Sequence, residues 1–412
     1  MAALKRVVLT GVGALSPLGH DWPTVRAHLR SLRNAVQVMD DWAAFEGLNT
    51  QLGAPARPFD LPAHYNRKSM RSMGRVALMA TRASELALAD AGLSGHPLVT
   101  GGGMGISYGS SAGTPAAIGD FGRMIAGKST EGINANTYIK IMSHTAAVNM
   151  GVFLGLTGRI ITTSRACASG SQGIGYAYET IQAGKQVAML AGGAEELDAT
   201  EAAVFDTLFA TSVKNDAPAL TPRPFDSSRD GLVLGEGACT LVLEELQHAQ
   251  ARGARILAEV IGFGTNSDGT HVTQPSPTTM AAAMRLALDA AGIAATQIGY
   301  VNAHGTATEQ GDIAESVATL SALGGHVPIS SLKSYMGHTL GACGALEAWM
   351  TIEMMREGWF APTLNLATPD PRCAPLAYIM GAGLDLQTDT VMSNNFAFGG
   401  INTSLIFRRW VG

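Results

Sequence analysis

The sequence contains one local pattern twice, and this repetition limits the folds that the chain can adopt. A run rich in β-branched residues over 6–10 leads into Gly11-Val-Gly13, and a second run over 256–261 leads into Gly262-Phe-Gly264. Small polar residues and a further glycine follow each run. The repetition predicts two similar halves that meet near residue 255, although a strand followed by Gly-x-Gly also recurs by chance in α/β chains.

Short apolar runs alternate with alanine-rich helical stretches, which is typical of an α/β protein with buried strands. Both halves, residues 1–255 and 256–412, are predicted to have this architecture. A helix is predicted over 70–91, where apolar residues recur on roughly one face. Further strands are predicted over 187–190, 238–243, 298–303 and 327–331.

Several function classes are disfavoured by motif and charge. Neither Gly-x-Gly is followed by the third glycine and the distant acidic residue of a dinucleotide-binding fingerprint, and no phosphate-binding Gly-x4-Gly-Lys-Ser/Thr loop occurs. The chain has 28 basic and 33 acidic residues, a net charge of −5. Nothing in this balance favours nucleic acid or an anionic membrane as a partner.

The composition indicates a globular protein of a reducing compartment. Apolar residues make up 46% of the 412 residues and charged residues 15%, which is enough apolar surface for several cores. The four cysteines are far apart, which argues against disulfides and a zinc site. The uncharged stretch over 141–158 contains a histidine, an asparagine and three glycines, so it is predicted as a buried core helix rather than a membrane span. We expect a cytoplasmic protein without a secretory signal.

Cys167 is the first candidate for chemistry. It stands between a predicted strand end and a glycine-rich helix start, Ala168-Ser-Gly-Ser-Gln-Gly-Ile-Gly175. The positive end of a helix favours a thiolate over a thiol, and free helix amides can hold a developing oxyanion. The alternative is that Cys167 is a small buried hydrophobe, which is the usual role of an isolated cysteine.

Two histidines favour a catalytic role for Cys167 over a structural one. His304 follows the strand predicted over 298–303, and His338 follows the one over 327–331. Small residues bracket each histidine, so a substrate could approach closely. No His-x3-His or His-x-x-Glu spacing occurs, which argues against a metal site. Lys333 is a further candidate for a buried charge, with Glu315 as its possible partner.

These segments together resemble a known family. The cysteine segment, Arg223-Pro-Phe-Asp-Ser-Ser-Arg-Asp-Gly231, both histidine segments and Ser393-Asn-Asn-Phe-Ala-Phe-Gly-Gly-Ile-Asn402 are similar to the elongating β-ketoacyl-acyl-carrier-protein synthases of the thiolase superfamily. The resemblance runs nearly end to end. It implies duplicated βαβαβαββ halves in five αβαβα layers. It also implies a condensation without a cofactor or metal, in which an enzyme-bound acyl group reacts with malonyl carrier protein.

The resemblance also implies a role for individual residues. Cys167 corresponds to the nucleophile that accepts the acyl chain, and His304 and His338 to the pair that holds the malonyl thioester and drives decarboxylation. Phe398, after Phe396, corresponds to a gate whose amide joins that of Cys167 in an oxyanion hole. The remaining implied positions are Thr306 and Thr308 on the pantetheine arm, Lys333 paired with Glu315 in a polar cluster, and Asp312 as structural support.

The substrate is predicted from fewer and less specific residues than the family is. Ala112 stands where the acyl pocket is often narrowed by isoleucine, and Asn134 stands where the opposing subunit usually contributes a bulky apolar residue. A wide pocket with a polar tip suits an aryl-polyene chain, and Glu46-Gly-Leu-Asn-Thr50 and Ser334-Tyr-Met-Gly-His338 are also similar to synthases of aryl-polyene pigments. The departures from the family pattern that leave the substrate open are Arg165, Leu232, Glu309, Gln310, Ala397 and Ile401.

The expected partners are an acyl carrier protein and a second subunit. Arg67, Lys68 and Arg71 lie in a stretch without acidic residues, over 61–84, and their spacing places Arg67, Arg71 and Arg75 on one helix face. By resemblance this stretch docks an acidic carrier protein; the alternative is an ordinary solvated face. The second subunit is expected to be an identical copy, or else a paralogous synthase or chain-length factor.

Three other members of the superfamily fit the sequence less well. A thiolase needs a second catalytic cysteine in the C-terminal glycine-rich loop, and residues 399–403 contain none. An initiating synthase with a Cys-His-Asn triad would lack His338. A catalytically silent chain-length factor would not be expected to retain Cys167, His304 and His338 together.

Overall fold

The computed structural model describes residues 4–412. Eleven of the strands form one continuous sheet. In chain order the strands are β1 Val7–Leu15, β2 Gln37–Val38, β3 Leu52–Ala54, β4 Met104–Gly109, β5 Ile160–Thr162, β6 Ala188–Glu195, β7 Leu234–Gly235, β8 Gly237–Glu245, β9 Ala258–Ser267, β10 Tyr300–Asn302, β11 Pro328–Ser330, β12 Trp359–Phe360, β13 Ala377–Tyr378, β14 Leu384–Asp385, β15 Thr390–Ala397 and β16 Ile401–Arg409. The α-helices are α1 Trp22–Arg30, α2 Arg67–Met70, α3 Arg75–Asp90, α4 Pro97–Thr100, α5 Pro115–Gly127, α6 Ala135–Ile141, α7 Thr145–Leu154, α8 Ser169–Gln182, α9 Ala199–Asp206, α10 Leu246–Ala251, α11 Pro277–Ala291, α12 Glu309–Leu323, α13 Lys333–Met336 and α14 Cys343–Glu357.

The strand order of the large sheet shows the duplication. The first half contributes β5-β4-β6-β8-β1 and the second half β11-β10-β15-β16-β9, with β13 added at the outer edge. We number the five strands of each half along the chain, leaving out β13. Both halves then have the same order across the sheet: third, second, fourth, fifth, first. The halves join through the antiparallel pair β1–β9, where Val7 lies opposite Val260. The predicted duplicated architecture is confirmed.

Helices form three layers around the two halves of the sheet. Helices α3 and α7 pack on the outer face of the first half, and α11 and α12 on that of the second. Helices α8 and α14 lie between the halves, and α14 contacts both β8 and β15. The resulting five layers place the starts of α8 and α14, and therefore the site, in the middle of the molecule.

The repeated Gly-x-Gly pattern allows the outer helices to approach the sheet closely. A Cβ added to Gly13 in β1 would lie 2.0 Å from the carbonyl oxygen of Ala83 in α3, and one added to Gly264 in β9 would lie 2.1 Å from that of Ala283 in α11. No side chain fits at such distances, so only glycine permits this packing. The glycines therefore lie within strands, and β1 continues through them to Leu15.

The helix predicted over 70–91 is interrupted. Helix α2 ends at Met70 and α3 starts at Arg75, with Gly74 as the residue before it. A Cβ on Gly74 would lie 1.9 Å from Oγ1 of Thr114, so the backbone is held against a neighbouring segment. The prediction that Arg67, Arg71 and Arg75 share one helix face is therefore wrong.

The uncharged stretch over 141–158 is also shorter in helix than predicted. Helix α6 ends at Ile141, and α7 covers only Thr145–Leu154 before Gly155, whose φ of 68° ends the helix. Within residues 4–412 no helix has the length and apolar character needed to cross a membrane.

Candidate active site

Cys167 lies immediately before α8, two residues ahead of Ser169. It is buried, and Ala166 before it has a left-handed backbone with φ of 46°. The backbone N–H groups of Cys167 itself and of Phe398 face its sulfur and lower the pKa of the thiol. Burial nevertheless raises the pKa of Cys167 to about 12, although the charge of Lys333 and these amides lower it. The expectation of a resting thiolate is wrong: the helix start does not compensate for the loss of water.

His338 contacts the cysteine directly. Its Nε2 lies 3.0 Å from Sγ of Cys167, while its Nδ1 accepts a hydrogen bond from the N–H of Leu340 at 3.3 Å. Because Nδ1 is an acceptor, the ring proton of the neutral imidazole is on Nε2, the nitrogen that faces the sulfur. The turn that positions this ring contains Gly337, with φ of 67°.

His304 completes a cluster of three side chains. Its ring stands perpendicular to that of His338, with centroids 5.1 Å apart. Three atoms lie within 4.8 Å of one another: one ring nitrogen of each histidine and the sulfur of Cys167. Burial lowers the pKa of both histidines well below the usual value, and the charge of Lys333 lowers it further, so both rings are neutral at physiological pH.

The same three atoms could act as ligands of a metal ion, but the positive charge near them opposes metal binding. The positive charge of Lys333 helps to lower the pKa of His304 and His338 and opposes the burial that raises the pKa of Cys167. A divalent cation would have to bind beside this ammonium group. The cluster suits an electron-rich thioester oxygen better than a second cation.

Lys333 does not pair with Glu315, contrary to the prediction. Its ammonium group forms a buried ion pair with Glu347 of α14, and Glu347 also accepts a hydrogen bond from Nδ2 of Asn395 at 2.8 Å. Burial is the largest single influence and lowers the pKa of Lys333, but Glu347, Cys343 and Glu315 together raise it above its usual value. Glu347 was missed, although an acidic residue flanked by apolar Leu346 and Ala348 inside a helix is a recognisable signal.

Glu315 instead holds the loop that carries His304. Its two carboxylate oxygens accept hydrogen bonds from the N–H groups of His304 and Gly305, each at 2.7 Å. Burial raises the pKa of Glu315 to about 8, against the lowering effect of these two amides. Glu315 therefore positions the backbone of the histidine.

Asp312 supports the loop between the two threonines. Oγ1 of Thr306 and Oγ1 of Thr308 lie 2.9 Å apart, and Ala307 between them has φ of 66°. Asp312 accepts a hydrogen bond from the N–H of Ala307 at 3.1 Å and from that of Phe225 at 2.7 Å. These bonds hold the strained turn so that both hydroxyl groups line the cavity.

Two phenylalanines close the inner part of the site. The ring of Phe398 packs on that of Phe205 with centroids 5.2 Å apart, and Phe396 meets His304 edge to face at 6.1 Å. Phe205, on α9, and Cys343, whose thiol donates to the carbonyl oxygen of Cys167 at 3.2 Å, were not predicted. Both residues are distant from Cys167 in the sequence and carry no motif of their own.

A funnel leads from the surface to Cys167. Its volume is about 560 Å³, and its walls include both histidines, both threonines and both predicted phenylalanines. Phe209, Val272 and Gln274 stand at its outer part. Ala112 and Asn134 are not among the lining residues: Asn134 is exposed, and its side chain caps α6 by accepting the N–H of Asn136 at 2.9 Å.

Comparison with known proteins identifies the family. The model of the beta-ketoacyl synthase N-terminal domain matches residues 4–249, and that of the C-terminal domain matches residues 257–367. The chain belongs to the beta-ketoacyl synthase family. The predicted family is confirmed, and with it the assignment of the chain as a condensing acyltransferase with a thiolase-like fold.

Similar proteins match this chain over nearly its whole length. The 3-oxoacyl-[acyl-carrier-protein] synthase 2 of Synechocystis sp. is 35% identical over 98% of both chains, and that of Vibrio cholerae is 36% identical over 98% of this chain and 99% of its own. A beta-ketoacyl synthase from Burkholderia phymatum is 60% identical, with a TM-score of 0.98 over 99% of this chain and 100% of its own. The ishigamide ketosynthase/chain length factor is 31% identical, with a TM-score of 0.89 and the same coverage.

The basic residues of the synthase divide into free and paired groups. Arg67, Lys68 and Arg71 are exposed and form no ion pair with any residue of 4–412, whereas Arg75 pairs with Glu236. None of the three free residues lines the funnel of its own protomer. Arg165 is exposed, so its charge lies outside the funnel despite its closeness to Cys167 in sequence.

Proposed function

We propose that this synthase transfers an acyl group from carrier protein to Cys167 and then condenses it with malonyl carrier protein. The observation that carries this proposal is the convergence of the Cys167 thiol, two neutral histidines and two backbone amides at the end of one funnel. A nucleophile, an oxyanion site and two further donors are the groups that the two half-reactions need.

In the first half-reaction the sulfur of Cys167 attacks the acyl thioester. The N–H groups of Cys167 and Phe398 receive the oxyanion of the tetrahedral intermediate, because both act on the sulfur beside which it forms. The bond to the pantetheine sulfur breaks, and the proton of the Cys167 thiol ends on the departing pantetheine thiol. The hydroxyl groups of Thr306 and Thr308 bind the pantetheine arm in the funnel.

In the second half-reaction malonyl carrier protein loses carbon dioxide. The electrons of the breaking C–C bond move into the thioester, and the enolate oxygen accepts hydrogen bonds from the Nε2–H groups of His304 and His338. Neutral rings serve here because each then donates one fixed hydrogen bond without losing a proton. The enolate carbon attacks the acyl carbonyl on Cys167, and the cysteine leaves as a thiolate that takes up a proton.

We further propose that the acyl chain is an aryl polyene rather than a plain fatty acyl group. The support is the small side chain at Ala112 and the similarity of residues 46–50 and 334–338 to aryl-polyene synthases. Asn134 is expected to reach the pocket of the opposing subunit, and in the single chain its side chain is exposed and caps a helix.

We also propose that the synthase acts as a homodimer through β5. This strand is the last of the large sheet, and within residues 4–412 nothing pairs with its outer edge. Ile160 at this edge, Val152 and Tyr138 are exposed apolar residues of the same region, and Val152 is 84% exposed. A second copy would cover them; a chain-length factor is the alternative, since the ishigamide protein is a ketosynthase/chain length factor.

Arg67, Lys68 and Arg71 form the proposed docking surface for carrier protein. They offer three unpaired positive charges on a net-acidic protein. One solved relative, 28% identical with a TM-score of 0.85, is a type II polyketide acyl-carrier protein in complex with its ketosynthase. An acidic carrier domain would be steered to such a patch.

The proposed reaction is tested by trapping the acyl-enzyme. Purified synthase is mixed with acyl carrier protein, and its intact mass is measured before and after malonyl carrier protein is added. We expect a mass gain of one acyl group that maps to Cys167 and disappears on addition of malonyl carrier protein. Acylation elsewhere, or an equal gain in Cys167→Ala, would contradict the assignment.

A further inference from the structure

The acidic residue Glu201 of α9 lies on the buried face of this helix, which packs near Cys167. Its buried face is formed by Glu201, Ala202 and Phe205, while Val204 on the other face is 56% exposed. Ala202 and Phe205 belong to the same apolar cluster as Cys167, and the ring of Phe205 packs on that of Phe398. Glu201 lies one helical turn before Phe205 on this face.

The carboxyl group of Glu201 has no hydrogen-bond partner. Both of its oxygens are closed off from solvent, the residue is only 9% exposed, and neither oxygen is bonded to any group in the part of the chain that the structure describes. The neighbouring acids differ. Glu195 accepts the N–H of Gly341 at 3.0 Å, and Glu196 accepts the N–H of Val76 at 3.0 Å. Buried polar groups are nearly always hydrogen-bonded, so a missing partner calls for an explanation.

Glu201 is a neutral acid rather than a carboxylate. Burial, together with the charges of Glu195, Glu196 and Asp198, raises its pKa to about 10. At physiological pH it therefore offers one O–H donor and one carbonyl acceptor. The complementary ligand group is a hydroxyl or carbonyl oxygen. An anion has no charge here to pair with.

The position of Glu201 fits the inner end of the acyl chain. The funnel outside Cys167 holds the pantetheine arm in the proposed reaction, so the acyl chain must extend inward past Phe205 and Phe398. Phe205, one helical turn after Glu201 on the buried face of α9, lines the funnel together with Cys167. Glu201 is therefore one helical turn from the wall beside the nucleophile.

We propose that Glu201 is a specificity-determining residue that hydrogen-bonds an oxygen atom at the far end of the acyl chain. This inference rests on the proposed function and names the feature of the substrate that the pocket selects. It adds a polar group from the same subunit to the Asn134 amide expected from the opposing one. A plain saturated chain would leave the Glu201 carboxyl group without a partner, and a hydroxylated chain of the same length would supply one.

The test compares two carrier-bound acyl groups of matched length, octanoyl and 8-hydroxyoctanoyl. The rate of Cys167 acylation is followed by intact mass for the wild type, Glu201→Leu and Glu201→Gln. Val204→Ala, on the exposed face of the same helix, is the control and should behave as wild type. We expect the wild type to load the hydroxylated chain faster, by on the order of tenfold. Glu201→Leu should lose that preference while loading octanoyl at least as well, and Glu201→Gln, which keeps a donor and an acceptor, should retain most of it.

Two results would overturn the inference while leaving the proposed function intact. One is a wild type that loads both chains equally. The other is a Glu201→Leu variant that slows both chains in the same proportion, which would indicate a structural role only. If the wild type loads neither chain and does not decarboxylate malonyl carrier protein, the proposed function itself fails and the inference fails with it.

Discussion

Removing the charge of Glu347 should destabilise the synthase strongly, because it leaves the Lys333 ammonium group buried without a counter-charge. Both side chains are at most 1% exposed. In Glu347→Gln the amide can still contact Asn395, so the change is one of charge rather than of volume. Breaking a buried pair on one side costs about 3–5 kcal/mol. An unfolding entropy of roughly 2.1 cal/mol/K per residue over 412 residues converts this cost to a fall in Tm of about 3–6 °C.

The pH dependence identifies the cause. In Glu347→Gln burial, the largest influence on Lys333, is no longer opposed by the charge of Glu347, so the pKa of Lys333 in the folded state falls below the unfolded value of about 10.4. Between those two pKa values the unfolded chain binds more protons, and stability rises with pH. The deficit of the variant should therefore shrink from pH 7 to pH 9. In the wild type the pKa of Lys333 is raised, so this group adds no such slope over that range.

Thermal unfolding by calorimetry at pH 7 and pH 9 measures both effects. Adding Lys333→Met to Glu347→Gln should restore part of the lost stability, because no unpaired charge remains. A variant within about 1 °C of wild type at pH 7, or a deficit that grows at pH 9, would refute the assignment of a charged Lys333–Glu347 pair.

Three further predictions concern the reaction. Cys167→Gln should abolish condensation but retain decarboxylation of malonyl carrier protein, measured as released carbon dioxide, because both histidines remain; loss of both activities would contradict the division of roles. Replacing Arg67, Lys68 and Arg71 by Glu should raise KM for carrier protein on the order of tenfold and leave KM for a small pantetheine thioester nearly unchanged. The reaction with carrier protein should also depend less on salt than in the wild type. Equal losses with both substrates would indicate damage to the fold. Ala112→Phe should slow loading of aryl-polyenoyl chains more than that of short saturated ones, and an unchanged ratio would remove Ala112 from the pocket.

The fold was largely predictable because its duplication is visible in local sequence patterns. Gly11-Val-Gly13 and Gly262-Phe-Gly264 mark equivalent strands, and the identical strand order of the two halves follows the same repeat. The reason for the glycines was not predictable. It depends on the distance between a strand and an outer helix, which local sequence does not show. For the same reason the contact of Gly74 with Thr114 interrupts a helix that periodicity alone extends to residue 70.

The site was predictable in its reacting groups and less so in their supports. Cys167, His304 and His338 stand in recognisable segments, and the structure brings them together. The partner of Lys333 was expected to be Glu315 from the family resemblance, yet the ion pair forms with Glu347. The protonation state of Cys167 was also mispredicted, since burial and helix amides act in opposite directions and only the structure shows which effect is larger.

The most direct test of the central claim is the condensation itself. Acyl carrier protein and malonyl carrier protein are incubated with wild type, Cys167→Ala, His304→Ala and His338→Ala, and the mass of the carrier-bound product is measured. The account predicts a 3-oxoacyl product two carbons longer with the wild type, and none with Cys167→Ala. Each histidine variant should still acquire the acyl group on Cys167 but fail to consume malonyl carrier protein at the wild-type rate. Formation of the 3-oxoacyl product by Cys167→Ala at the wild-type rate would contradict the account.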